Sequence, residues 1–369
     1  MSFTPFDEAA MRRALELAAR ALYSTHPNPR VGAVLARDNE IVGEGWHERP
    51  GEAHAEPSAV RAAGERARGA TAYVTLEPCS HFGRTPPCVG VLLAAGVRRV
   101  VYAVGDPNPL VNGKGAQQLR EAGVLVESGL LEREAEALNA GFMMRMRHGR
   151  PFVRLKSAAS LDGRTALANG DSQWITSDAA RADVQHWRAL SGAVLTSAAT
   201  VLADNPRLDV RIETERQPLR VVLDRRRQVR NNARILAPPG EVLLFAAATT
   251  ARARGRAEDR LGAARIERVR AVRGHLDLKK VFARLGELAI NEVLVEAGPR
   301  LSGALLSAGL VDEWLLYIAP KLLGPQAKPL AALARLTKLA KAPDFEILES
   351  QAVGPDLRLR LVARRKRER

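Results

Sequence analysis

Two hydrophobic periods alternate along this chain, and they change where capping and turn residues fall. Met11, Leu15, Ala18 and Leu22 recur at helical spacing. Thr4, Pro5 and Asp7 ahead of them supply a cap, a first-turn proline and a first-turn acid. The runs VGAVLAR and EIVGEGW flank Asp38 and Asn39, which predicts a hairpin. The pattern then predicts a helix over about residues 57–68 and a strand at TAYVTLEP. A helix opened by Pro86 and Pro87 runs to Ala95, followed by a strand at RRVVYAVGD, a helix at GAQQLREAG and a short strand at VLVES. One long helix over about residues 131–147 ends this part. Helix, hairpin, then alternating helix and strand argue for a sheet with helices on both faces.

The stretch Gly149, Arg150, Pro151 follows that long helix and marks a domain boundary, giving domains 1–148 and 149–369. The second half opens with the strand PFVRLKSAAS and continues with a helix over residues 177–190. Strands are expected at GAVLTS, LRVVLD, EVLLFAA, NEVLVEAG and EWLLYIAP, with a polar loop over residues 206–217 and a short helix over residues 301–308. The reading is a second α/β domain with a strand-rich end and no internal repeat.

Composition narrows the class. The chain has 369 residues, 46% apolar and 26% charged, which suits two soluble domains. No stretch approaches the ~18 uninterrupted apolar residues of a membrane span. The first residues show no basic leader before an apolar run, so a cytoplasmic chain is expected. The net charge of +15 is mostly Arg and is spread along the sequence. Its densest runs, residues 225–227 and 364–367, read as solvated surface, with an anionic ligand as the other reading. Two cysteines, Cys79 and Cys88, are too few for a disulfide scaffold, which leaves metal ligation or simple packing.

Those cysteines have company. His54, Ala55 and Glu56 precede Glu77, Pro78 and Cys79, with Cys88 beyond. One His and two Cys can supply three zinc ligands and leave the fourth position to water, whose pKa zinc lowers toward neutrality. Glu56, two residues from His54, is placed to carry protons. Zinc-dependent nucleobase deaminases use H-x-E and P-C-x-x-C, with the Glu not a ligand. The first element fits. The second departs, because eight residues separate the cysteines here.

The sequence TLEPCSHFGRTPPC, residues 75–88, resembles the signature of the riboflavin-biosynthesis deaminase, in which the longer insert is typical. THPNPRVGAV, GEAHAE and GDPNPLVNGKG fit it too. That resemblance implies a cytidine-deaminase-like three-layer α/β/α domain, zinc on His54, Cys79 and Cys88, and Glu56 as proton shuttle. Asn28, His81 and the rest of segment 81–85 would line the substrate pocket. Pro57 stands where the family usually has an aliphatic residue. Proline costs little in a first turn and about 3 kcal/mol further inside, so the helix is expected to start near His54.

In the second half, VEAGPRLSGALL reads strand, Gly-Pro turn, helix. Such a turn suits a phosphate, yet it lacks the dinucleotide G-x-G-x-x-G spacing, and a plain structural turn stays open. KSAASLDGRTA, SQWITS, SAATVLADNPRLDVR and IAPKLLG resemble the reductase half of the same fusion family, which is dihydrofolate-reductase-like. By that resemblance Ala158, Trp174, Thr200, Asp204, Gly298, Pro299, Arg300, Leu301, Ser302, Gly303 and Ala304 contact NADPH. Ser172, Arg188, Leu208, Arg211 and Glu296 contact substrate, the two arginines suiting a sugar phosphate. Arg225, after the LRVVLD strand, is expected near the 2′-phosphate of NADPH. Lys156 and Asp204 are the candidate proton donors.

The resemblance therefore implies two consecutive reactions on a small pyrimidine ribosyl phosphate: deamination at zinc, then NADPH-dependent reduction of ribosyl to ribityl. A homo-oligomer with no nucleic-acid or membrane partner is expected. Two alternatives stay open: a tRNA or other nucleic-acid deaminase, and an active deaminase joined to an inactive reductase scaffold.

Overall fold

The computed structural model describes residues 3–82, 86–248 and 259–364. Gly83, Arg84 and Thr85 of the expected pocket segment, and Arg365, Lys366 and Arg367 of the basic tail, lie outside the described residues. The chain divides into two contiguous units, Met1–Gly149 and Arg150–Arg369. Among the described residues no helix is long and apolar enough to cross a membrane.

Helix α1 (Pro5–Ala19) begins as its first residues dictate. Thr4 and Asp7 form a reciprocal capping box, with Pro5 in the first turn. Asp38 and Asn39 both take positive φ, 51° and 60°, and turn β1 (Gly32–Arg37) into β2 (Glu40–Trp46). The unit continues with α2 (Ala55–Ala63), β3 (Thr71–Leu76), α3 (Cys88–Ala94), β4 (Arg99–Val104), α4 (Lys114–Glu121) and β5 (Leu125–Ser128). Helices α5 (Glu132–Leu138) and α6 (Ala140–His148) close it. The sheet order is β2-β1-β3-β4-β5, antiparallel through β2, β1 and β3 and parallel beyond.

Strand alternation sorts the core into two layers. Ala33, Leu35, Ala72 and Val74 pack with Ala59, Leu92 and Leu119 on one face. Val34, Ala36, Tyr73 and Val101 pack with Met11, Leu17, Ala135 and Phe142 on the other. The result is a three-layer α/β/α unit.

The expected long helix over 131–147 is two helices. Asn139 interrupts it, because its buried amide clasps a different segment: Oδ1 accepts from Arg30 N at 2.8 Å and Nδ2 donates to Arg30 O at 2.8 Å. A side chain spent on the backbone before β1 breaks the helix there. The expected helix over 57–68 is likewise shorter, with residues 64–67 tightening into a 3₁₀ turn.

The second unit runs β6 (Phe152–Ser160), β7 (Arg164–Ala166), α7 (Asp178–Leu190), β8 (Ala193–Ser197), α8 (Ala198–Asp204), β9 (Leu219–Leu223) and β10 (Val242–Ala247). Then come β11 (Asp259–Leu261), β12 (Ala264–Val269), β13 (Ala271–Val272), β14 (His275–Leu276) and α9 (Leu278–Glu287). The last elements are β15 (Glu292–Glu296), α10 (Pro299–Ser307), β16 (Glu313–Ala319), β17 (Lys328–Pro329), β18 (Phe345–Val353) and β19 (Asp356–Ala363). Ten strands form one sheet, ordered β11-β12-β10-β9-β8-β15-β6-β16-β19-β18. From β12 to β16 it is parallel, so these strands share one carboxyl edge. Helices α9 and α10 cover one face, and α8 covers part of the other.

The register of the central strands is fixed at the opposite edge. Buried Arg154 on β6 bonds Glu292 on β15 at 3.0 Å and Glu313 on β16 at 3.1 Å. A slip of either neighbour would strand a buried charge.

Candidate active sites

His54, Cys79 and Cys88 come from three elements that meet at one end of the first sheet. His54 caps α2, Cys79 lies just past β3, and Cys88 is the first residue of α3. Helix α2 starts at Ala55, as the proline predicted, and Pro57 sits in its first turn where no N–H is needed. Gly45 makes the placement possible: a Cβ there would stand 2.5 Å from Ala55 O, so only glycine lets the first turn of α2 lie on β2.

The three ligand atoms lie within 4.8 Å of one another. His54 Nδ1 is 3.2 Å from Cys88 Sγ and 3.6 Å from Cys79 Sγ. Zinc bonds of about 2.0–2.3 Å at tetrahedral angles set nitrogen–sulfur edges near ~3.6 Å, so this donor set fits zinc. The Cys88 thiol, donating to Cys79 against the cost of burial, brings Cys79 down to about 4, and the resulting thiolate pushes Cys88 far up. A divalent cation reverses the second shift, since a coordinating thiol is deprotonated outright.

Glu56 is 3% exposed. Burial pushes its carboxyl up to about 7, and the neighbouring Cys79 charge adds to that. Near neutral pH such a group both takes and gives a proton.

Around the triad the structure adds groups that the sequence reading gave no role. His47 is buried, its ring edge-on to His54 with centroids 5.3 Å apart. Its Nδ1 is 3.1 Å from Ala53 O, which can only accept. Nδ1 therefore carries the proton, and Nε2 accepts from Asn28 Nδ2 at 3.0 Å. Asn28 is thereby anchored to the backbone beside the metal ligand. Asp106, after β4, is buried and pushed up to about 7 by that burial, with Glu77 and Cys79 nearby. His81, already expected at the pocket, stands at the start of the insert, and among the described residues its buried Nδ1 has no hydrogen-bond partner.

In the second unit the expected residues gather along the carboxyl edge of the parallel strands. Ala158 lies near the end of β6, Glu296 ends β15 and pairs in register with Lys156, and Thr200 and Asp204 lie on α8 after β8. Arg188 from α7 is buried. Its Nε and Nη2 bind the two oxygens of Glu296 at 2.6 and 3.0 Å, and Nη1 donates to Asp209 O at 3.0 Å. Its fork thus faces protein rather than open solvent. Burial lowers the Lys156 pKa against the pull of Glu296.

Leu208 takes a positive φ of 55° and is buried. Arg211 is held through its backbone N–H, which donates to buried Gln185 Oε1 at 3.1 Å. Ser172 is half-buried, and Trp174 is 62% exposed with the Arg181 guanidinium 4.4 Å over its ring. Gly298 caps α10 without a side-chain bond, and Pro299 opens it. Within that turn Ser302 faces inward to Ala297 O and Gly298 O, and Leu301 packs on the core. Gly303 is pressed against the Ala332 backbone. The N–H groups of Arg300 and Leu301 are the first-turn donors left for an anion. Arg225 is half-buried just past β9, after the buried Asp224, whose carboxylate takes the Gln228 and Val229 N–H groups at 2.8 Å each.

Comparison with known proteins bears on both halves. The cytidine and deoxycytidylate deaminase zinc-binding region matches residues 4–104, and the RibD C-terminal domain matches residues 151–359. The riboflavin biosynthesis protein RibD of Escherichia coli (strain K12) is 53% identical over 96% of this chain and 99% of its own length. The chain belongs to the RibD family. The RibD of Haemophilus influenzae is 46% identical, over 97% of this chain and 98% of its own. Among solved structures, Acinetobacter baumannii RibD superposes with a TM-score of 0.88 at 46% identity, covering 98% of this chain and 99% of that one. A Thermotoga maritima diaminohydroxyphosphoribosylaminopyrimidine deaminase/5-amino-6-(5-phosphoribosylamino)uracil reductase superposes at 0.85 with 33% identity, covering 97% and 99%.

His47, Asp106 and Gln185 went unread in this RibD-family chain for a common reason. Each acts through a partner distant in sequence, and a lone His, Asp or Gln carries no spacing signal. Only Asp106 left a trace, since it ends a predicted strand within the quoted motif GDPNPLVNGKG.

Proposed function

We propose that residues 1–148 deaminate 2,5-diamino-6-(5-phosphoribosylamino)pyrimidin-4-one and that residues 149–369 reduce the ribosyl group of the resulting aminouracil with NADPH. The chain is a bifunctional deaminase and reductase of riboflavin biosynthesis, with zinc and NADPH as cofactors. The observation that carries the reading is the His54, Cys79 and Cys88 triad with Glu56 beside it, in a chain whose residues 151–359 also match the RibD C-terminal domain. That two-domain arrangement disfavours a nucleic-acid deaminase.

For the first step, zinc held by His54, Cys79 and Cys88 supplies the Lewis acidity that makes water a nucleophile near neutral pH. Glu56 takes the proton of the attacking water and passes it to the departing amino group, so ammonia leaves and a carbonyl remains. Asn28, fixed by His47, and His81 orient the pyrimidine ring.

For the second step, NADPH held along the carboxyl edge of the parallel strands would supply the hydride that C1′ of the ring-opened imine takes up. Lys156, whose lowered pKa makes it a ready acid, gives the balancing proton to the imine nitrogen. Glu296 holds Lys156 and Arg188 in place, and Arg211 with Ser172 and Leu208 binds the ribosyl phosphate. The uncapped start of α10, with Ala158, Trp174, Thr200 and Asp204, receives the cofactor, and Arg225 reaches its 2′-phosphate. Arg225→Ala should then weaken NADPH more than NADH, and equal weakening would remove Arg225 from the site.

A cytoplasmic homo-oligomer completes the reading. Exposed Leu336, Leu339, Ile347 and Leu348, on the segment that leads into and along the edge strand β18, support self-association. The test of the whole is a product assay on zinc-loaded protein with and without NADPH, read by mass. Aminouracil alone without NADPH and ribityl product with it is expected. No deamination in either tube would reject the reading.

A further inference from the structure

Glu77 is 4% exposed and belongs to neither the metal ligands nor the proton path. Among the described residues no Lys, Arg or His pairs with it. Backbone N–H groups of one distant segment surround it instead. Oε2 accepts from Gly113 N at 3.0 Å and Asp106 N at 3.4 Å, and Oε1 accepts from Ala116 N at 3.2 Å. Gly113 caps α4 and Ala116 lies in its first turn, so the carboxylate also sits at the positive end of that helix.

The same segment grips the next residue. A Cβ on Gly115 would stand 1.9 Å from Pro78 O, so α4 closes directly on the peptide between Glu77 and Cys79. From the other side Val89 N donates to Cys79 O at 3.2 Å and Cys88 N to Cys79 Sγ at 3.3 Å. Cys79 is therefore clamped between the start of α3 and the start of α4. Glu77 is the side chain that fastens the second jaw, and through Asp106 N it also sets where the Asp106 carboxyl stands.

We propose that Glu77 is a positioning residue of the deaminase: its carboxylate, by gathering three backbone donors of segment 105–116, fixes Cys79 and Asp106 relative to each other. This rests on the assignment of the first unit as the deaminase, which the wild-type product assay tests by itself. The motif GDPNPLVNGKG is then explained as a cradle for an anion of the protein's own.

Glu77→Gln keeps the size and puts an amide N–H against a backbone N–H. In the full-length chain it should lower deaminase kcat about 10- to 100-fold with KM little changed. It should weaken zinc affinity by a similar factor in competition with a chelator. Reductase turnover of supplied aminouracil should match wild type, and a deaminase transition retained in calorimetry shows that the first unit is folded. Glu77→Asp keeps the charge with a shorter reach and should lose less, and it carries the test if the Gln variant fails to fold. Hydrogen exchange on the wild-type chain gives a reading free of variants: the Gly113 and Ala116 amides should exchange slowly. Zinc affinity and kcat within about twofold of wild type in a folded variant, or fast exchange of both amides, would overturn the proposal.

Discussion

The two units assemble their sites in opposite ways. In the deaminase unit the metal ligands and the proton carrier all come from one short span, His54 to Cys88, and the packing cores lie in other residues. In the reductase unit the reacting groups run from Lys156 to Glu296 and converge only because parallel strands share an edge. There the site wall is also a fold element: Arg188 and Glu296 form a buried ion pair that joins α7 to β15. A site made from a compact motif can be altered without disturbing its scaffold. A site made from sheet ends cannot be separated so cleanly.

The sharpest break in that comparison is metal removal. Dialysis against a chelator should abolish deamination while reductase kinetics on supplied aminouracil stay unchanged, and a parallel loss of both would mean that the metal also serves the second unit. Next, Glu56→Gln should cut deaminase kcat about 10²–10⁴-fold with zinc content retained, by metal analysis alongside rates. In the other unit, Glu296→Ala leaves Arg188 buried and unpaired. It should cost about 3–5 kcal/mol and lower the reductase transition in calorimetry, with the deaminase transition unmoved. An inactive reductase that melts as wild type does would show that the site and the fold are separable after all.

The smallest effect concerns the scaffold of the first unit. Burial opposes ionisation of Asp7, but the Arg99 guanidinium, the Tyr73 hydroxyl and the Thr4 cap hold its carboxyl well below the usual range. A depressed folded value means that the contribution is full above the unfolded value of 3.8 and is lost as pH falls through the folded one. Asp7→Asn should therefore cost about 1.5–3 kcal/mol near neutral pH. The gap in thermal midpoint between variant and wild type should narrow as pH drops below about 4. A gap independent of pH would assign the loss to packing.

What could be read in advance follows the same division. The His54, Cys79 and Cys88 triad and the start of α2 were legible because ligand spacing and a first-turn proline are local facts. The hairpin at Asp38 and Asn39 was legible for the same reason. The split at Asn139 was not, since its amide bonds a backbone far back in the sequence. Arg188 gave no sign of burial, because the charge that allows it, Glu296, lies on a strand far along the chain. The exposure of Trp174, expected only by resemblance to meet the cofactor, is nothing its residue type foretells. Helix α9 carries Leu278, Val281, Phe282 and Leu285 at helical spacing behind the Asp277 cap, so its stripe was legible in the sequence although it was passed over.

The place of β6 in its sheet has a consequence for synthesis. The deaminase strands follow the order β2-β1-β3-β4-β5, so each finds its neighbour almost as soon as it is made. Strand β6 is the first of the reductase unit, yet its partners β15 and β16 are translated most of a unit later. Loop closure over that distance is slow. On the ribosome every strand of the first sheet is therefore already made while β6 still waits for both of its neighbours.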